Sequence, residues 1–223
     1  IQSDARSIVL QQKETSLLLL VTGIESNRKD IQGRMIRNSI AWIGNDPDCE
    51  TDRQTLQQIA ACALKNELDN RINSSIIEEG GNFKVLWEQI DQIEKDFTRD
   101  LSLDWPPAHP AYIAKNTDEL RQDLAEELET ANFEENFLVI VTGNKSEETL
   151  KKAGVWRGLS NLIPYEEWQE YEPNQQLQHN KQQNVEDFVE EVGEFFEGVR
   201  KEFGKFIAKS LKRNRRYRDK RNR

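Results

Sequence analysis

The chain has 223 residues, a net charge of −9 and 32% charged against 36% hydrophobic residues, enough length for one α/β domain with an appendage, or two small domains, without disulfide staples. No apolar run approaches the roughly 18 residues that span a bilayer, so an integral membrane helix is excluded. Cys49 and Cys62 stand outside any CxxC pairing, with only His109 and His179 to join them, which excludes a clustered zinc site and points to a reducing, cytoplasmic setting.

The chain starts at Ile1 without an initiator Met or a signal-like pattern, which leaves processing ahead of Ile1 open. Ser7 to Gln12 and Ser16 to Thr22 are apolar or β-branched runs parted by Lys13-Glu14-Thr15, the pattern of a hairpin. The second run is apolar on both faces and predicts a central strand. A polar loop is expected from Gly23 to Arg34, then a strand from Met35 to Ile43 with Ile36, Ile40 and Trp42 on one face and Asn38 interrupting them. Gly44-Asn45-Asp46-Pro47 ends that strand by turn chemistry.

Thr51 and Asp52 open a helix whose stripe of Leu56, Ile59, Ala60, Ala63, Leu64, Leu68 and Ile72 keeps three-and-four spacing. Gly80 and Gly81 break the chain. A second helix is expected to carry Phe83, Leu86, Trp87, Ile90, Ile93 and Phe97. The prolines of Trp105-Pro106-Pro107-Ala108-His109-Pro110 demand an extended loop. Thr117 caps a third helix, Asp118 to Ala131. Phe137 to Val141 reads as a second buried strand, with Ser146 starting a short helix beyond it. The echo of Leu-Val-Thr-Gly at 20–23 in Ile-Val-Thr-Gly at 140–143 stops at the glycine, so it marks strand-to-turn chemistry rather than a repeat. An aromatic-rich segment from Trp156 to Tyr171 is expected to seal the domain.

From Pro173 to Asn184, eight of twelve residues are Gln or Asn, the composition of a linker. Beyond it Val185, Val189, Val192, Phe196, Val199, Phe203 and Phe206 step by four and three, predicting one long amphipathic helix over 185–212. Its exposed face runs from acidic to basic, in the order that complements the helix dipole. The end is a basic tail: nine of the fifteen residues from Lys209 to Arg223 are Lys or Arg.

The chemistry-bearing motifs are mostly exclusions. Thr142-Gly143-Asn144-Lys145-Ser146 follows a strand and precedes a helix, but it lacks the upstream glycine and the intact Gly-Lys-Ser/Thr core of a phosphate loop. The second and third glycines of a dinucleotide fingerprint are also missing. There is no Gly-x-Ser-x-Gly. His109 lies among prolines and His179 in the polar linker. No carboxylate pair can be singled out in so acidic a chain. Neither a cofactor nor a metal is expected.

The candidate polar site is the 23–38 loop, beside the end of a buried strand, where α/β folds gather ligands. Asp30, Arg34, Arg37 and Asn38 are its chief residues, with Glu25, Arg28 and Lys29 nearby. Arg34 and Arg37 differ in strand parity, so one is expected to pair inward with Asp30 or Asp46 while the other stays free. A solvated hairpin loop with local ion pairs is the plain alternative.

The expected fold is α/β (or α+β): a small mixed sheet flanked by helices over 1–171, a linker over 172–184, the amphipathic helix and a tail over 213–223. The expected function is non-catalytic, a regulatory or adaptor component of a protein assembly that binds a partner through Val189, Val192, Phe196, Val199, Phe203 and Phe206. Nucleic acid or an acidic partner at Lys212, Arg213, Arg215, Arg216, Arg218, Lys220 and Arg221 is one alternative. Contact of the basic half-helix with an anionic membrane surface is another. A ligand-binding domain or enzyme using the 23–38 loop is the third.

Overall fold

The structure, a computed structural model, describes residues 6–13, 16–30, 32–44, 50–79, 82–97, 110–130 and 137–173. The linker, the amphipathic helix with its apolar stripe, the basic tail and most of the proline-rich loop lie outside the described residues.

The chain order is β1 (Ser7–Lys13), β2 (Ser16–Lys29), β3 (Met35–Gly44), α1 (Glu50–Leu64), α2 (Leu68–Ser74), β4 (Ile76–Glu79), β5 (Asn82–Val85), α3 (Trp87–Phe97), β6 (Ala111–Lys115), α4 (Asp118–Thr130), β7 (Leu138–Thr142), α5 (Glu147–Ala153), β8 (Arg157–Ser160) and β9 (Gln169–Tyr171). Seven strands form one mixed sheet in the order β3, β2, β1, β7, β8, β6, β9, and β4 with β5 make a separate hairpin. β7, β8 and β6 are parallel. β1, β2 and β3 form an antiparallel meander that joins them through β1 and β7.

Alternation along the strands sorts the two faces. Ile8, Leu10, Val139, Val141 and Leu159 enter one core with α1 and α4. On the other face a side chain at Gly158 would meet Val155, Leu150 of α5 and Ile113, the nearest atom at 2.9 Å. Helices therefore flank the sheet on both sides, and the parallel strands are buried as their apolar runs require. β2, expected to be central, is an interior strand one place from the β3 edge, with Leu17, Leu19 and Val21 buried. No helix among the described residues is long and apolar enough to cross a membrane.

Four expectations need correction. The single helix over 51–72 is two, because Asn66 takes a left-handed conformation at φ 62°. Glu67 N–H donates to Cys62 O at 3.0 Å and Asn66 N–H to Ala63 O at 3.2 Å, the paired bonds of a Schellman ending. Leu68 and Ile72 still reach the core from α2, which is why the stripe looked unbroken. The helix expected from Phe83 begins only at Trp87; Phe83 lies on β5, paired with Glu78 across a hairpin. The loop expected from Gly23 is strand as far as Lys29. The aromatic segment contains a buried central strand, β8, and β6 lies unread between the prolines and Thr117. The caps hold: Thr117 accepts from Leu120 N–H at 3.2 Å, and Ser146 accepts from Thr149 N–H at 3.2 Å.

β8, Arg-Gly-Leu-Ser, opens on a charge and a glycine, so its local pattern does not mark a buried strand. Arg157 is nonetheless buried. Its Nε donates to Glu127 Oε2 at 2.8 Å and its Nη2 to Oε1 at 2.5 Å, while Nη1 donates to Pro110 O at 2.8 Å. Trp156 stacks on the guanidinium at 3.7 Å and Tyr112 at 4.8 Å. A bidentate partner, carbonyl acceptors and ring faces together offset the desolvation of the ion.

Glu127→Gln would leave Arg157 buried without a counter-charge and should lower the unfolding free energy by about 3 kcal/mol in urea titrations. Cys62 yields a second expectation. Burial, reinforced by Glu67, pushes its thiol from 9.0 up to about 11, so the stability this adds is full below about pH 9 and is lost as pH rises toward 11. At pH 8, alkylation mapped to Cys62 by peptide mass spectrometry should be about 100-fold slower in folded than in urea-unfolded protein.

Candidate ligand-binding cleft

Sheet register brings distant residues to one edge. Ile8 pairs with Val141 and Ser7 with Thr22, so the start of β1 and the middle of β2 stand beside the end of β7. The parallel strands finish together there, with Thr142 beside Ser160 and Ser160 beside Lys115. The carboxyl ends of parallel strands are where open α/β sheets leave a crevice. A cleft of about 510 Å³ opens at this edge. The segment before β1 contributes Arg6, β2 contributes Gly23 and Glu25, and β3 contributes Arg37. Asn66 and Asp69 enter from the α1–α2 turn and α2, Asn116 and Arg121 from the start of α4, and Val141 and Asn161 complete the wall.

Two of the three arginines are firmly seated. Arg6 Nη1 donates to Ala63 O at 3.0 Å near the end of α1, and the guanidinium also bonds Asn66 and pairs with Asp69. Arg121 Nη1 donates to Asn116 Oδ1 at 2.7 Å and the group pairs with Asp118. Asn116 itself ties the strand ends, its Nδ2 donating to Thr142 O at 3.3 Å and its N–H to Ser160 O at 3.1 Å. Arg37 is held loosely. Its Nη1 reaches Gly23 O at 3.3 Å and its Nη2 reaches Glu25 Oε1 at 3.2 Å, beyond the 2.7–2.9 Å usual for charge-assisted bonds.

Arg37 is presented by an arm that β2 and β3 extend past β1. Gly23, at φ 73°, sits at a register shift between Val21 and Ile24, a bulge that lets the strand continue with a changed twist. Beyond it Ile24 and Ser26 are buried while Glu25 and Asn27 are exposed. Asn73 fastens the arm to α2: Asn38 Nδ2 donates to its Oδ1 at 3.0 Å and its Nδ2 donates to Glu25 O at 2.6 Å. Arg28 donates to Asn38 Oδ1 at 2.9 Å and lies over the Phe83 ring at 4.7 Å.

The four residues predicted as one site therefore separate. Asp30 and Arg34 close the arm's tip, where Asp30 accepts from Gln32 N–H at 2.8 Å, Arg34 N–H at 2.9 Å and Arg34 Nε at 2.7 Å. The Arg34 backbone N–H, then its guanidinium, hold the Asp30 carboxyl below its usual 3.8. Asn38 is an anchor, and Arg37 alone lines the cleft. Neither arginine is free: Arg34 pairs with Asp30 and Arg37 with Glu25. Arg6, Asn116, Arg121 and Asn161 were missed, since only strand pairing and the unread β6 and β8 bring them together.

At the end of β7 the Thr142–Ser146 turn is held by its own groups and by Ser160. Thr142 Oγ1 donates to Asn144 Oδ1 at 3.0 Å, and Ser160 Oγ donates to Lys145 O at 2.5 Å. Among the described residues no three His, Cys, Asp or Glu side chains are grouped to hold a metal ion. No protein-family model matches the chain, and no curated protein or solved structure matches it.

Asn73→Ala should release the arm while sparing the sheet: amide exchange at 24–28 and 36–38 should accelerate by about tenfold, a lost net bond of about 1.4 kcal/mol. Rates at Leu10 and Val139 should stay unchanged in the same hydrogen-exchange experiment.

Proposed function

We propose that the domain binds a small anionic ligand in this cleft, and that the protein works as a non-catalytic regulatory or adaptor component. The apolar stripe Val189, Val192, Phe196, Val199, Phe203 and Phe206 would then meet a protein partner, with the basic tail adding attraction to an acidic surface. The observation that carries the ligand reading is Arg37. Its side chain is only 22% exposed, so it has given up most of its hydration, yet its two contacts are long and fall short of the close bidentate pairing a guanidinium can make. A cation in that condition favours an incoming anion. Arg34, 73% exposed and closely paired with Asp30, has no such need.

The two arginines provide a matched test. Melting of the full chain would be followed with acetate, succinate, inorganic phosphate and pyrophosphate at matched ionic strength. At least one anion should raise the melting temperature of wild type and Arg34→Ala alike. Arg37→Ala should weaken that ligand at least tenfold, about 1.4 kcal/mol. Equal stabilisation of Arg37→Ala and wild type would contradict the proposal.

A further inference from the structure

We infer that the cleft selects a small, singly charged carboxylate, received by Arg37 in exchange for Glu25; this rests on the cleft being an anion site. Glu25 and Arg37 are directly opposed across β2 and β3. Glu25 already holds a carboxylate where the ligand's would sit, with Oε1 3.2 Å from Arg37 Nη2. The Glu25 side chain is 65% exposed, so it can swing into water and remain solvated when displaced. One long contact to a mostly exposed partner is a weak hold.

Charge sets the ligand class. Each cleft arginine has its own carboxylate: Asp69 for Arg6, Glu25 for Arg37 and Asp118 for Arg121. A monoanion that replaces Glu25 preserves this balance. A phosphate dianion would bring a second negative charge into a wall that Asp69 also lines, where like charges disfavour one another. Shape agrees, since the edge of a guanidinium offers two parallel N–H groups to a planar carboxylate. Asn66, Asn116 and Asn161 add neutral donors and acceptors, and about 510 Å³ leaves room beyond a bare carboxylate. The ligand is therefore a carboxylate with a polar amide- or hydroxyl-bearing substituent.

The test follows the Arg37 Nε–Hε resonance of the ¹⁵N-labelled full chain during titration with N-acetylglycine, N-acetylglycinamide or inorganic phosphate, in wild type and Glu25→Gln. N-acetylglycine should shift the Arg37 signal and the uncharged amide should not. Glu25→Gln, which removes the internal competitor, should tighten N-acetylglycine about fivefold. Tighter binding of phosphate than of N-acetylglycine, or unchanged or weaker binding in Glu25→Gln, would overturn the inference while leaving an anion site standing. An Arg37 signal unmoved by either anion would overturn the inference and the anion reading together.

Discussion

The pairing of β1 with β7 is the constraint on which the rest of the molecule depends. Four registered pairs, from Ile8 with Val141 to Gln11 with Leu138, join an antiparallel meander to a three-stranded parallel unit. Each part alone has a raw edge at this seam, and a strand edge with unmet donors and acceptors must be paired or covered. The helices cross it as well. Gln58 of α1 donates to Glu129 O of α4 at 3.2 Å, and Lys65 reaches Glu129 Oε1 at 2.6 Å. Ile8 and Leu10 lie fully buried beneath, so slipping β1 by one residue would turn them out of the core and a polar neighbour in.

The same seam makes the cleft. It sets Arg6 and Gly23 beside the end of β7, while the parallel pairing of β8 and β6 delivers Asn161 and Asn116 to that edge. Arg6 is fixed by partners on α1, the turn after it and α2, and Arg121 by partners at the start of its own helix. Arg37 arrives on the arm beyond the Gly23 bulge, steadied by Asn73, with its own contacts slack. A rigid scaffold presenting one loosely paired cation is the kind of arrangement a ligand can engage.

Much of the fold was legible where local chemistry and periodicity agreed. β1, β2, β3 and β7 follow their apolar runs, and Thr117 and Ser146 mark helix starts by capping. Errors arose where tertiary context overrode local pattern. Leu68 and Ile72 continued the α1 stripe in phase although the helix had ended at Asn66, a residue able to adopt left-handed backbone. Ile76-Ile77 and Phe83-Lys84-Val85 around Gly80-Gly81 were a readable hairpin signal, passed over because Phe83 also fits the period of α3. β8 concealed itself behind Arg157, whose burial depends on Glu127 and Pro110 from two other parts of the chain and on the ring of its neighbour Trp156. Position beside a buried strand pointed to a group of residues of which Arg37 lines the cleft. It could not separate that residue from Asp30 and Arg34, which share its loop and serve the turn.

The central claim is that the strand ends beside the β1–β7 seam form an anion site, anchored by Arg37. Anomalous diffraction from a crystal of the full chain soaked in iodide tests it most directly, because the position of a bound monoanion is read without reference to any assumed ligand. The account predicts an anomalous peak inside the cleft in contact with the Arg37 guanidinium. Peaks confined to exposed cations such as Arg34, with nothing beside Arg37, would contradict it.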